Sequence, residues 1–98
     1  MNGKVYLTQY LMPAGNPVPT FVEIEEDYAF RSKMLVLSCE VLTTGKVALY
    51  GRKRGWDEDN EICLIADNSA GENCPVNVLK QLIDQLTKGD GNVIQGKN

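Results

Sequence analysis

Leu79, Leu82, Ile83 and Leu86 recur at spacings of three, one and three in the segment PVNVLKQLIDQLT. Residues so spaced share one face of a helix. Pro75 suits the first helical position, where no N–H is needed. Lys88 complements the negative C-terminal end and Gly89 can terminate it. A helix is therefore predicted over about Pro75 to Thr87. Its apolar stripe must be covered, and a chain of 98 residues has room for one domain and one modest core.

The cover comes from alternating segments. Val5, Leu7 and Leu11 share one face of a period-two run, with Gln9 as its one polar member; Tyr6, Thr8 and Tyr10 share the other. Thr20 to Glu26 alternates again, with Val22 and Ile24 inward. Both read as strands, and the Pro- and Gly-rich stretch from Met12 to Pro17 joins them as a hairpin. Asp27 can cap a helix, and Phe30, Met34 and Leu37 follow at spacings of four and three. That spacing predicts a helix over Tyr28 to Ser38. Glu40 to Tyr50 reads as strand, Thr-Gly turn, strand, with Gly45 supplying a positive φ. Glu61 to Asp67 is apolar on both faces and reads as a central strand. The order is β-β-α-β-β-β-α, an α+β fold with a mostly antiparallel sheet and helices packed on it. The domain spans 1–88, and 89–98 reads as a flexible tail.

Hydrophobic content of 43% and charged content of 23% are ordinary globular values. The net charge of −3 disfavours polyanionic partners. The longest apolar run, Met34 to Leu37, is far short of the roughly 20 residues a membrane span needs. The N-terminus has no leader-length apolar run. Three cysteines at wide spacing, without histidine, fit neither a disulfide framework nor a zinc site. They fit a reduced cytoplasm. No cofactor or membrane is expected.

The stretch GRKRGWDEDNE, Gly51 to Glu61, carries the densest chemistry and is read as the connection between the last two strands. Arg52, Lys53 and Arg54 beside Trp56 can hold phosphates and stack a base. Asp57, Glu58, Asp59 and Glu61 cancel that charge within about one Debye length. The favoured reading is a solvated hairpin end, which makes nucleic acid an unlikely partner. Asp57, Asp59 and Glu61 have the alternate spacing of calcium-loop ligands. Ile62 stands where that loop needs glycine, and Asn68 where it needs its last glutamate, so no metal site is assigned. Trp56 reads equally as an apolar lid or as an exposed contact.

Cys39 and Cys63 lie among apolar strand neighbours and read as buried thiols. Cys74 falls at the start of the last helix, where the dipole favours reactivity. Lack of histidine excludes Cys-His and Ser-His-Asp catalysis, and no catalytic residues are assigned. Tyr6, Tyr10 and Phe21 share the face of the first hairpin opposite Val5, Leu7, Leu11, Val22 and Ile24. Such a hairpin needs two covers. One is a helix of the same chain; the other is a second helix or a second subunit. The leading expectation is a small non-enzymatic protein-interaction module, self-associating as a homodimer, with Tyr6, Tyr10, Phe21 and Trp56 as contacts. The alternatives are a nucleic-acid-associated protein using Arg52, Lys53, Arg54 and Trp56, and a thiol activity at Cys74.

Three stretches, VYLTQYLMP, EVLTTGKVALY and NEICLIADNSAGENCP, resemble small uncharacterised proteins encoded by phages and prophages. The resemblance covers most of the chain but holds no catalytic motif. It implies an accessory protein of a bacterial cytoplasm and transfers no functional residue.

Overall fold

The computed structural model describes residues 2–10 and 17–87. The elements are β1 (Asn2–Tyr10), β2 (Pro17–Glu25), α1 (Glu26–Ser32), β3 (Leu35–Val41), β4 (Val47–Lys53), a single 3-10 turn (Glu58–Asn60), β5 (Ile62–Ala66) and α2 (Pro75–Thr87). This is the expected α+β order. Leu11, the Met12–Asn16 turn, the Lys88–Gly89 helix stop and the tail lie outside the described residues.

The strands form one sheet in the order β2-β1-β3-β4-β5. Every neighbouring pair is antiparallel except β1 and β3. Two expectations need correction. The helix predicted over Tyr28 to Ser38 ends at Ser32, and Leu35 begins a strand. Leu35, Leu37 and Cys39 alternate with Val36 and Ser38, and that period of two prevails over the wider spacing of Phe30, Met34 and Leu37. Asp27 is accordingly inside the helix, paired with Arg31 one turn on. The strand at Ile62–Ala66 is an edge rather than a central strand; its second apolar face, at Ile65, is exposed.

Register and burial show that both helices lie on the same face. Gly3, Val5 and Leu7 alternate along β1, and Gln9 pairs with Cys39, which pairs with Leu49. Gly3 and Gly51 therefore point to one side of the sheet. A Cβ at Gly3 would overlap Cβ of Ala29 in α1. A Cβ at Gly51 would meet Leu82 and Leu86 of α2. The core between sheet and helices gathers Val5, Ile24, Leu35, Leu49, Leu79 and Ile83, all at or below 3% exposure. Fully burying a side chain of this size contributes about 1.5–3 kcal/mol.

Turns follow the sequence closely. Gly45 adopts φ 91°, as its place in the Thr-Gly turn requires, and its N–H donates to Leu42 O at 2.9 Å. Gln9, the polar residue on an apolar face, accepts from Thr20 Oγ1 at 3.1 Å.

Gly3→Ala should lower unfolding stability by about 1–3 kcal/mol, because α1 has to lift from β1 to make room. A urea midpoint equal to the parent's would show that α1 does not press on Gly3.

Candidate interaction surfaces

The face of the sheet turned away from the helices is open. Tyr6 and Phe21 are register partners across β1 and β2, with ring centroids 6.1 Å apart. They are 70% and 51% exposed, and Tyr10 43%. Ile65 on β5 adds an exposed apolar residue at the far edge. At the centre Tyr50 donates to Glu40 Oε1 at 3.1 Å. The small Ala48, between register partners Glu40 and Ile65, is buried on this side. Lys4 opposes Glu23 in register and its Nζ sits 4.7 Å from the Phe21 ring centroid. Tyr6, Tyr10 and Phe21 thus share a face, as expected, and no helix among the described residues covers them.

Trp56 belongs elsewhere. It lines a groove of about 560 Å³ on the helix side, where α1, α2, the start of β3 and the end of β4 converge. Leu35 and Leu86, nearly inaccessible, form the floor. Phe30, Met34 and Trp56, exposed by 69%, 67% and 39%, form the walls. Lys33, Lys53 and Arg54 form a basic rim. The groove is built by backbone ties between the two turns that flank it. Arg54 N–H donates to Met34 O at 3.0 Å, and Arg54 Nε donates to Lys33 O at 2.8 Å. Gly55, at φ 90°, turns the chain so that Trp56 N–H reaches Lys53 O at 3.0 Å.

The stretch of three cations does not form one patch. β4 runs through Lys53, so Arg52 and Lys53 point to opposite faces of the sheet. Lys53 and Arg54 border the groove, with Lys53 Nζ 5.1 Å from the Trp56 ring centroid. Arg52 lies outside its lining and donates to Trp56 O at 2.9 Å. The acidic residues that follow pass through the 3-10 turn at Glu58–Asn60. Among the described residues, no three carboxylate, thiol or imidazole groups converge to hold a metal.

Arg31 ties the two helices together beside the groove. Its guanidinium donates to Asp84 Oδ1 at 2.9 Å, to Thr87 Oγ1 at 2.7 Å and, through Nε, to Asp27 Oδ2 at 3.0 Å. Tyr28 donates to Asp84 Oδ2 at 3.2 Å. Although Arg31 borders the groove, its charge is thus already matched by two carboxylates.

The cysteines divide differently from expectation. Cys39 is buried, but Cys63 is exposed on the open face of the edge strand, because β5 has no outer neighbour to cover it. Partial burial and the Glu61 and Glu40 carboxylates push the Cys63 thiol up, against an opposing hydrogen bond from Tyr50. Cys74 is half-buried just before α2, and its carbonyl accepts from Val78 N–H at 3.0 Å. Its side chain makes no hydrogen bond among the described residues. Phe30, Met34, Lys33 and Leu86 were not singled out from sequence as site residues. The signal was present in Phe30 and Met34, but their spacing reads as the buried stripe of a helix that stops too early to bury them.

Burial, then the bond to Glu40, pushes the Tyr50 hydroxyl up from 10.0 to about 12. A raised folded value means that this contribution to stability is complete below about pH 10 and is lost as pH rises through about 12. Across that window the urea midpoint of Tyr50→Phe should fall less than the parent's. Parallel curves would show that Tyr50 is not held in this way.

No helix among the described residues is long and apolar enough to cross a membrane. No family model, curated protein or solved structure matches this chain, so its function has to be argued from these two surfaces.

Proposed function

We propose that the protein is a small interaction module that pairs with a second copy of itself through the open face of its sheet. The observation that carries this reading is the exposed Tyr6–Phe21 pair, with Tyr10 and Ile65, on a face that neither helix covers. Aromatic residues are enriched at interface centres because they bury much area with little loss of rotamer freedom.

Charge and edge chemistry favour a second copy as the occupant. Lys4 and Arg52 on this face are balanced by Glu23 and Glu40, while Glu25 is engaged by Lys80 at 2.6 Å. A face with both signs around an apolar centre can be self-complementary under two-fold symmetry. Edge-to-edge pairing is disfavoured at both ends of the sheet. β2 carries Pro17 and Pro19, which have no N–H to offer, and β5 is only five residues long.

Size sets the strength. Five strands about 4.8 Å apart and about 23 Å long give a face of roughly 450 Å². Stable dimers bury about 800 Å² per copy, so the pairing is expected to be weak and concentration-dependent. The resemblance to phage and prophage proteins supports a role as a phage-encoded accessory protein, where such a module acts by association.

The nucleic-acid reading retains a concrete observation, since Lys53, Arg54 and Trp56 do share one groove. It loses Arg52 to the opposite face and keeps an acidic run immediately after Trp56. The thiol reading has the position of Cys74 before α2 and, among the described residues, no converging partner group.

Sedimentation velocity over a wide concentration range should show the average mass rising from monomer toward dimer. Tyr6→Ser with Phe21→Ser should hold the chain monomeric while changing unfolding stability little, since both side chains are exposed. A monomer at every concentration, or a dimer indifferent to the double substitution, contradicts the proposal.

A further inference from the structure

The groove between the helices is chemically distinct from the open face. Its floor and walls are apolar, its rim is cationic, and among the described residues no carboxylate lines it. Arg31 is matched by Asp27 and Asp84. Lys53 makes a further contact of its own. Lys33 and Arg54 remain, and neither has a carboxylate partner among the described residues. Arg54 is also held in place: Nε donates to Lys33 O, and its two terminal nitrogens make no hydrogen bond or ion pair among the described residues. A guanidinium so held can take a carboxylate in paired hydrogen bonds.

We infer that this groove binds a short acidic peptide segment of a partner protein, which inserts one large apolar side chain between Phe30, Met34 and Trp56 and sets a flanking carboxylate on Arg54 and Lys33. The volume of about 560 Å³ is ample for one such side chain and its neighbours and falls in the size range of ligand pockets. The mobile thioether of Met34 and the two aromatic walls can adapt to the inserted group. Charge complementarity is local. It rewards one or two carboxylates at the rim, not a continuing polyanion.

That locality is what disfavours a nucleic-acid strand. Single strands need a basic track that follows the backbone and open aromatic faces on which bases stack. Here Arg52 lies outside the lining, and Asp57, Glu58, Asp59 and Glu61 follow directly after Trp56. Lys53 stands 5.1 Å from the Trp56 ring centroid and Lys33 5.7 Å from that of Phe30. Both ring faces already have a cation of the same chain near them. A peptide carboxylate can meet those cations without displacing them.

Trp56 is the sole tryptophan and reports on the groove directly. The probe is a blocked hexapeptide with a central phenylalanine-leucine pair flanked on each side by two acidic residues. Added to the full chain, it should change Trp56 emission saturably, and more weakly at high salt. Replacing its phenylalanine by alanine should weaken binding about tenfold or more. Lys33→Glu should weaken it about tenfold by reversing the rim charge. Arg54→Glu should do so at least as strongly, but it also breaks the bond to Lys33 O, so Lys33→Glu is the cleaner variant.

No saturable change, or binding indifferent to Lys33→Glu, overturns the inference. So does an oligothymidylate that saturates the same signal more tightly than the peptide. Val93 and Ile94, beyond the described residues, are the apolar pair of the chain's own C-terminal segment. Binding that appears only in the full chain carrying Val93→Ser and Ile94→Ser would assign the groove to that segment instead of a partner.

Discussion

The contact between α2 and the centre of the sheet is the one on which the other features depend. Leu79, Leu82, Ile83 and Leu86 are almost wholly buried, and Gly51 gives them room. A side chain at Gly51 would meet Leu37, Leu82 and Leu86 within about 3 Å. Because α2 settles low over β4, it shares one layer with α1, and Arg31 can bridge the two helices through Asp84 and Thr87. A two-layer arrangement results, with both helices of the described residues on one side of the sheet.

Both surfaces follow from that arrangement. With both helices on one face, the other face keeps only what its strands bring. On β1 and β2 the strands bring Tyr6, Tyr10 and Phe21. The groove arises where the helix layer ends. α1 is only seven residues long and ends at Ser32, so Phe30 in its last turn and Met34 just beyond it stand exposed beside Trp56. The cations there also suit the negative ends of the two helices. Lys33 and Arg54 thus serve the fold and remain available to a ligand, which is how a structural turn acquires a basic rim.

Much of the architecture was legible in the sequence because each segment carried one dominant period. The last helix was read over about Pro75 to Thr87 and starts at Pro75 as expected, since Pro75 and the leucine stripe agree. The hairpin at Gly45 was equally clear. The errors came where two periods compete. From Phe30 to Cys39, apolar residues satisfy both a helical and an alternating reading, and only the neighbouring strands β1 and β4 decide for the sheet. β5 misled because Ile62, Leu64 and Ala66 face the core, whereas Cys63 and Ile65 face outward at an uncovered edge. A run apolar on both faces implies two covers, but not that the chain itself provides both. The groove was half legible. Trp56, Lys53 and Arg54 stood out, while Phe30 and Met34 join them only through a chain reversal that no local pattern encodes.

The central claim is that the Tyr6–Phe21 face is bare in one copy and covered by a second. Solvent paramagnetic relaxation by a neutral gadolinium chelate, read on the aromatic ring protons, tests it most directly. In dilute protein the Tyr6 and Phe21 rings should relax strongly, as their exposure of 70% and 51% requires. As concentration rises they should become protected together, while Trp56, on the other side of the sheet, stays unchanged. Rings protected even at the lowest concentration, or equally relaxed at every concentration, would contradict the account.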